Sequence, residues 1–250
     1  MDAQYPFRTI LPAVPRRLTF SRGFSLVEMA VVLVIVALFI AGMMLPLSAQ
    51  QDIRARQETE KALANIRDTL FGFAVTTGRL PCPADPTIVS GSAGAGTENC
   101  ALTQGVIPWA TLGLPETDAW GRRFTYRVTD SFKDAIAANT LTPPATCTPS
   151  SPPTQASFAL CSEGDIAVTD GGTAIASNVP AAIVSHGTNG QGGYLPNGTQ
   201  LPGAAGNELE NADINTTFVS RTPDPAFDDV VVWLSPNLLY NRMISAGKLP

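Results

Sequence analysis

The chain has 250 residues, of which 15% are charged, with 21 glycines, 21 prolines and a formal net charge of −5. That is the composition of one or two folded domains with many turns, and it excludes a disordered polyelectrolyte. The negative balance argues against a general nucleic-acid binder, which needs basic surface to neutralise phosphate.

Residues 1–23 hold Arg8, Arg16, Arg17 and Arg22 against a single acid, Asp2, so the rest of the chain is more acidic than the total implies. Three prolines and no sustained period mark residues 1–22 as a segment without regular structure. Residues 24–47 then form one apolar run whose only charge is Glu28. As a helix that run is roughly 36 Å long, enough for a bilayer core of about 30 Å. Basic residues before it predict a cytoplasmic leader and a body on the far side.

Residues 48–78 predict a continuation of the same helix. Leu63, Ile66, Leu70 and Phe73 recur at three- and four-residue steps and make an apolar stripe, with charged residues opposite. Arg56 and Glu60 are one turn apart. Gly78 and Pro81 supply the stop, and Pro46 predicts a bend or loosening where apolar sequence meets polar. Beyond Gly78 the pattern changes to short strands and long loops. Strands are predicted at 123–129, 157–160, 165–169, 181–185 and 230–234, with a short helix at 237–246. The fold class is α+β, a long N-terminal helix packed on a mostly antiparallel sheet.

The segment SRGFSLVEMAVVLVIVAL, residues 21–38, resembles the type IV prepilin signature shared by pilins and type II secretion pseudopilins. The resemblance implies cleavage by a prepilin peptidase between Gly23 and Phe24, followed by methylation of the new amino terminus. It also implies that Glu28 pairs with the Phe24 amine of a neighbouring subunit during assembly. A carboxylate inside an apolar segment is costly and calls for such a partner. Residues 1–23 are then a removed leader, 24–47 a transmembrane and assembly half-helix, 48–78 its amphipathic soluble half, and 79–250 a periplasmic pilin-like body. Expected partners are the peptidase, other pilin or pseudopilin subunits, an inner-membrane assembly platform and the membrane itself, with no nucleic acid.

Asp118-Ala119-Trp120-Gly121 resembles the tryptophan turn of major pseudopilins, which implies that Trp120 packs on the long helix. Residues 182–193 and 207–214 resemble the calcium loop of the same proteins and imply Asn189, Asn211 and Asp213 as ligands. Asn189 stands where a carboxylate is usual, and residues 194–206 are inserted between the halves. Calcium is therefore a possible cofactor rather than a required one.

Four cysteines, Cys82, Cys100, Cys147 and Cys161, contain no CxxC pair and, behind an export segment, predict disulfides. Of the three pairings, Cys82–Cys100 with Cys147–Cys161 is favoured, because each closes a Gly- or Pro-rich loop. His186 is the sole histidine, and no nucleophile elbow accompanies it. It reads as a loop or strand-end residue and the chain as a non-enzyme. The paired Asp228-Asp229 reads as the capped start of a strand, with metal binding the lesser option. The expected function is a structural subunit, of the minor kind, in a type II secretion pseudopilus or pilus-like fibre. The competing class is an anchored periplasmic binding module or hydrolase that uses the same export signal.

Overall fold

A computed structural model describes residues 23–134 and 155–249, leaving aside the side chains of 41–49. The chain divides between Ser48 and Ala49 into two compact units. Helix α1 runs over Leu26–Thr77.

The first unit starts α1 with a reciprocal cap. Ser25 stands before the first helical residue, and its Oγ accepts from the Glu28 N–H at 3.2 Å. Glu28 Oε2 accepts in return from the Ser25 N–H at 2.9 Å. This S-x-x-E arrangement satisfies two of the donors that a helix start leaves open. The apolar side chains that follow are exposed, from Leu26 at 89% to Ile40 at 55%. The described part of this run, 24–40, is only about 17 residues, roughly 25 Å of helix. Among the described residues no helix is long and apolar enough to cross a membrane. The expected span and the expected effect of Pro46 both extend into 41–49, outside the described side chains.

In the second unit the helix buries Thr59, Leu63, Ile66, Leu70 and Ala74, one stripe at helical spacing. Phe71 is buried with them, whereas Phe73, expected on the stripe, is half-buried and lies under the Arg79 guanidinium at 5.4 Å. Arg56 and Glu60 pair at 3.1 Å on the polar side. Gly78, with φ +80°, ends the helix, and its N–H reaches Ala74 O at 2.8 Å.

The body follows as β1 Gln104–Val106, α2 Trp109–Leu112, β2 Thr125–Val128, α3 Asp130–Lys133, β3 Ile166–Thr169, β4 Ala174–Val179, β5 Ala181–Ser185, α4 Asn207–Ala212, β6 Thr217–Val219, β7 Val230–Trp233 and α5 Pro236–Ser245. An antiparallel four-stranded sheet has the order β1-β2-β5-β7, and a separate three-stranded sheet has the order β4-β3-β6. Strands β3 and β6 run parallel. The α+β class therefore holds, with two sheets instead of one. The α1 stripe packs with Phe124, Tyr126, Val128, Ile183, Leu234 and Leu239 in the main core.

Residues 157–160 are not a strand. Phe158 is buried against Phe132, with ring centroids 4.7 Å apart, and the Ser157 N–H bonds to Gly78 O. Side-chain anchoring replaces ladder pairing there. The Cys82–Cys100 bridge is present. Cys161 is also disulfide-bonded, and Cys147 lies outside the described residues.

Candidate functional site

Two regions carry the predicted site residues. The first is the entry to α1. Gly23 and Phe24 precede the helix in irregular backbone, and Phe24 is 83% exposed. A Cβ on Gly23 would meet nothing within 4 Å, so the fold does not demand glycine there. An exposed peptide without a packing constraint, two residues ahead of a capped helix, is a geometry that a protease can approach. Glu28 is exposed and, among the described residues, is engaged with Ser25.

The second region gathers the loop after β5, α4 and the entry to β7. Here the three expected ligands do not form a single set. Asn189 Nδ2 donates to Glu208 Oε1 at 2.8 Å, while its carbonyl oxygen accepts from the Gln191 N–H. Asn211 is fully buried, and its amide pairs both ways with the Val219 peptide group of β6. Asn211 Nδ2 also donates to Asp229 Oδ2 at 2.9 Å. Both asparagine oxygens are thus committed to backbone N–H groups. The Asp213 carbonyl accepts from Gln104 Nε2, and its carboxyl is pushed up, first by burial and then by Glu210.

The carboxylates that do converge are Glu208, Asp228 and Asp229, one oxygen from each lying within 4.8 Å of the other two. Asp228 accepts from the Asn189 N–H at 2.9 Å, and the Asp228 N–H reaches Glu208 Oε1 at 3.2 Å. The aspartate pair was legible as a motif, but its meeting with Glu208, 20 residues earlier, depends on the packing of α4. The second cluster of this kind among the described residues is Cys82, Glu98 and Cys100, whose sulfurs form the bridge.

His186 follows β5 directly and is fully buried. Its Nε2 lies 2.8 Å from Thr125 Oγ1, and its Nδ1 lies 3.7 Å from Asp229 Oδ1. Burial lowers the imidazole to about 4, and burial raises the Asp229 carboxyl to about 8. Desolvation of both groups outweighs their attraction at that distance. The order Thr-His-Asp mimics a catalytic relay, yet Thr125 and Asp229 are 5% and 3% exposed, so the row is sealed from solvent. Ser185 is turned to the other face, where its Oγ donates to Asp118 Oδ2 at 2.6 Å.

Asp118 also organises the tryptophan turn. Its Oδ1 accepts from the N–H groups of Trp120 and Arg122. Trp120 lines a cavity of about 180 Å³ with Asp52, Ile53 and Arg56 of α1.

No curated protein and no solved structure matches the chain. Residues 19–44 match the family model described as the prokaryotic N-terminal methylation motif. The chain therefore carries the prepilin-type methylation signature and is consistent with the type IV pilin and pseudopilin family, as a pilin-like precursor.

Proposed function

We propose that the chain is cut between Gly23 and Phe24 by a prepilin peptidase, methylated at Phe24 and built into a type II secretion pseudopilus or pilus-like fibre as a minor structural subunit. The observation that carries this reading is the methylation motif placed at an open, capped helix start that leads into exposed apolar side chains. Exposed apolar surface of this extent calls for lipid before assembly and neighbouring helices afterwards. The subunit sits in the inner membrane with its body in the periplasm until it joins the fibre. Its work is assembly, not chemistry.

The deciding experiment is mass spectrometry of the mature N-terminus, with and without active prepilin peptidase. A peptide starting at methylated Phe24, lost without the peptidase, supports the reading. An intact first residue or a start at Gln50 overturns it. Glu28→Ala should leave cleavage largely intact and reduce incorporation into fibres; normal incorporation would remove Glu28 from its proposed assembly role.

A further inference from the structure

Asparagine followed by glycine occurs at Asn189-Gly190 and again at Asn197-Gly198. Such a pair is chemically labile, because glycine has no Cβ to keep its backbone nitrogen away from the asparagine side chain. The fold holds the two pairs differently. Residues 194–200 form a tight hairpin in which Tyr194 and Gln200 are bridged, the Leu195 N–H donates to Thr199 O at 2.9 Å, and the Gly198 N–H donates to Leu195 O at 2.9 Å. Pro196 and Asn197 occupy the turn, and Gly198, with φ +82°, takes the left-handed place after it. Asn197 is exposed at the tip. Its Oδ1 accepts from the Thr199 N–H at 3.0 Å, and its Nδ2 has no partner among the described residues.

Asn189 is exposed as well, but its amide is held at both ends. Nδ2 donates to Glu208 Oε1 at 2.8 Å, and Oδ1 accepts from the Gln191 N–H at 2.8 Å. The backbone around it is also fixed. The Asn189 N–H reaches Asp228 Oδ2 at 2.9 Å, and Gly190 is buried where a Cβ would lie 2.2 Å from Arg122 Nε. Both glycine N–H groups are hydrogen-bonded at 2.9 Å, Gly190 to His186 O and Gly198 to Leu195 O, so that cost is common to the two pairs. What separates them is the bond from Asn189 to the Glu208 carboxylate, which must break before that amide can turn and leave.

We propose that Asn197 is a site of spontaneous deamidation and that Asn189, with the same motif, is protected by the fold. The Gly198 nitrogen attacks Asn197 Cγ. A C–N bond forms to close a succinimide, the Cγ–Nδ2 bond breaks, and the amide leaves as ammonia with the Gly198 proton. Water then opens the succinimide at either carbonyl. One opening gives aspartate, and the other gives isoaspartate, in which the main chain runs through Cγ and gains a methylene. Both products add a negative charge at the hairpin tip, but only isoaspartate changes the backbone. Pro196 O, on one side of the site, accepts from the Ser90 N–H at 2.8 Å and from Arg123 Nη2 at 3.0 Å, and Arg123 is fully buried. Gly198, on the other side, is packed so that a Cβ would lie 2.2 Å from Thr87 O. A methylene inserted between these anchors displaces one of them and loosens the hairpin from residues 85–90. The reaction is a slow, one-way mark on the subunit. It requires only the folded body and water, and it stands independently of the fibre reading.

The test incubates the full chain in detergent, in mildly alkaline buffer made with heavy-oxygen water, beside a sample unfolded in urea. Mass spectrometry follows the peptides around both asparagines. In the folded chain Asn197 should convert roughly tenfold or more faster than Asn189, the ratio expected from one additional hydrogen bond to a carboxylate. In urea the two sites should convert at similar rates. A single heavy oxygen should enter each product, and electron-based fragmentation should find both aspartate and isoaspartate at position 197. Chains carrying isoaspartate should be cut faster by protease in residues 85–90 and 194–200. Asn197→Asp, which has the charge without the added methylene, should keep the resistance of the parent chain. Conversion of Asn189 as fast as Asn197 in the folded chain overturns the proposal, as does an intact Asn197 once the unfolded sample has fully converted. A preference for Asn197 that is equally strong in urea belongs to the flanking sequence and overturns protection by the fold.

Discussion

Replacing both Cys82 and Cys100 with serine tests how the loop between the long helix and β1 is held. The two cysteines are 18 residues apart in sequence, and Gly91, Gly94 and Gly96 lie between them. Closing a loop of that length removes about 3 kcal/mol of unfolded-chain entropy in the chain-entropy model. For a folded body of this size, that corresponds to a fall of roughly 6–12 °C in unfolding midpoint. A second fastener crosses the same loop, because Glu98 accepts from Arg79 at 2.8 and 3.2 Å and from the Cys82 N–H at 2.7 Å. The assay is urea unfolding of the double variant in detergent, with thiol labelling to confirm that no new free cysteine appears. Substitution is preferred to a reductant, since Cys161 is also disulfide-bonded. A loss below about 1 kcal/mol would refute the entropic account and move the fastening to the Arg79–Glu98 clamp.

Arg123 is fully buried, paired with Glu116 at 2.8 Å, bonded to Pro86 O and Pro196 O, and stacked 4.7 Å over Trp109. Arg123→Met should cost about 3–5 kcal/mol in urea unfolding, because it strands a carboxylate and two carbonyls. Ser25→Ala removes half of the reciprocal cap and should destabilise the first turn of α1 by about 1 kcal/mol, read as faster amide exchange at Leu26–Ala30. His186, held down at about 4, contributes stability that is present above about 6.5 and lost as pH falls through 4. Asp229, held up at about 8, contributes with the opposite sign, present below about 4 and lost as pH rises through 8. The chain should therefore lose about 2 kcal/mol between pH 6.5 and 8, and Asp229→Asn should flatten that slope in unfolding titrations.

What was readable in the sequence follows the reach of each signal. The helix stripe through Leu63, Ile66 and Leu70, the Gly78 stop and strands β5 and β7 rest on contiguous residues, where period and turn chemistry suffice. Strands β1 and β6, three residues each, are too short to show a period, and they exist because β2 and β3 offer them edges. Strand β4 is absent from the predicted strands; most of its residues are exposed, and its pairing with β3 defines it. Residues 157–160 alternate like a strand, but Phe158 is taken by the aromatic cluster with Phe132 and Tyr240. The same limit applies to the acidic cluster. Asp228 and Asp229 are adjacent in sequence, but Glu208 joins them only because Asn211, one turn later in α4, is locked to β6 and to Asp229.

Glu28 has different partners open to it before and after cleavage. In the uncleaved chain its carboxylate is satisfied locally by the Ser25 N–H, so the charge near the start of the apolar run is already compensated by the helix cap. Cleavage after Gly23 would add a cationic amine at Phe24, one residue before that N–H. A carboxylate held by one neutral donor gains more from a charged donor than from a second neutral one. Exchange of the cap for an amine, from its own chain or a neighbour, is therefore favourable only after processing. A chain with an intact leader can form the capped helix but lacks the Phe24 ammonium proposed to pair with Glu28 of a neighbour, which is the electrostatic reason to place cleavage before assembly.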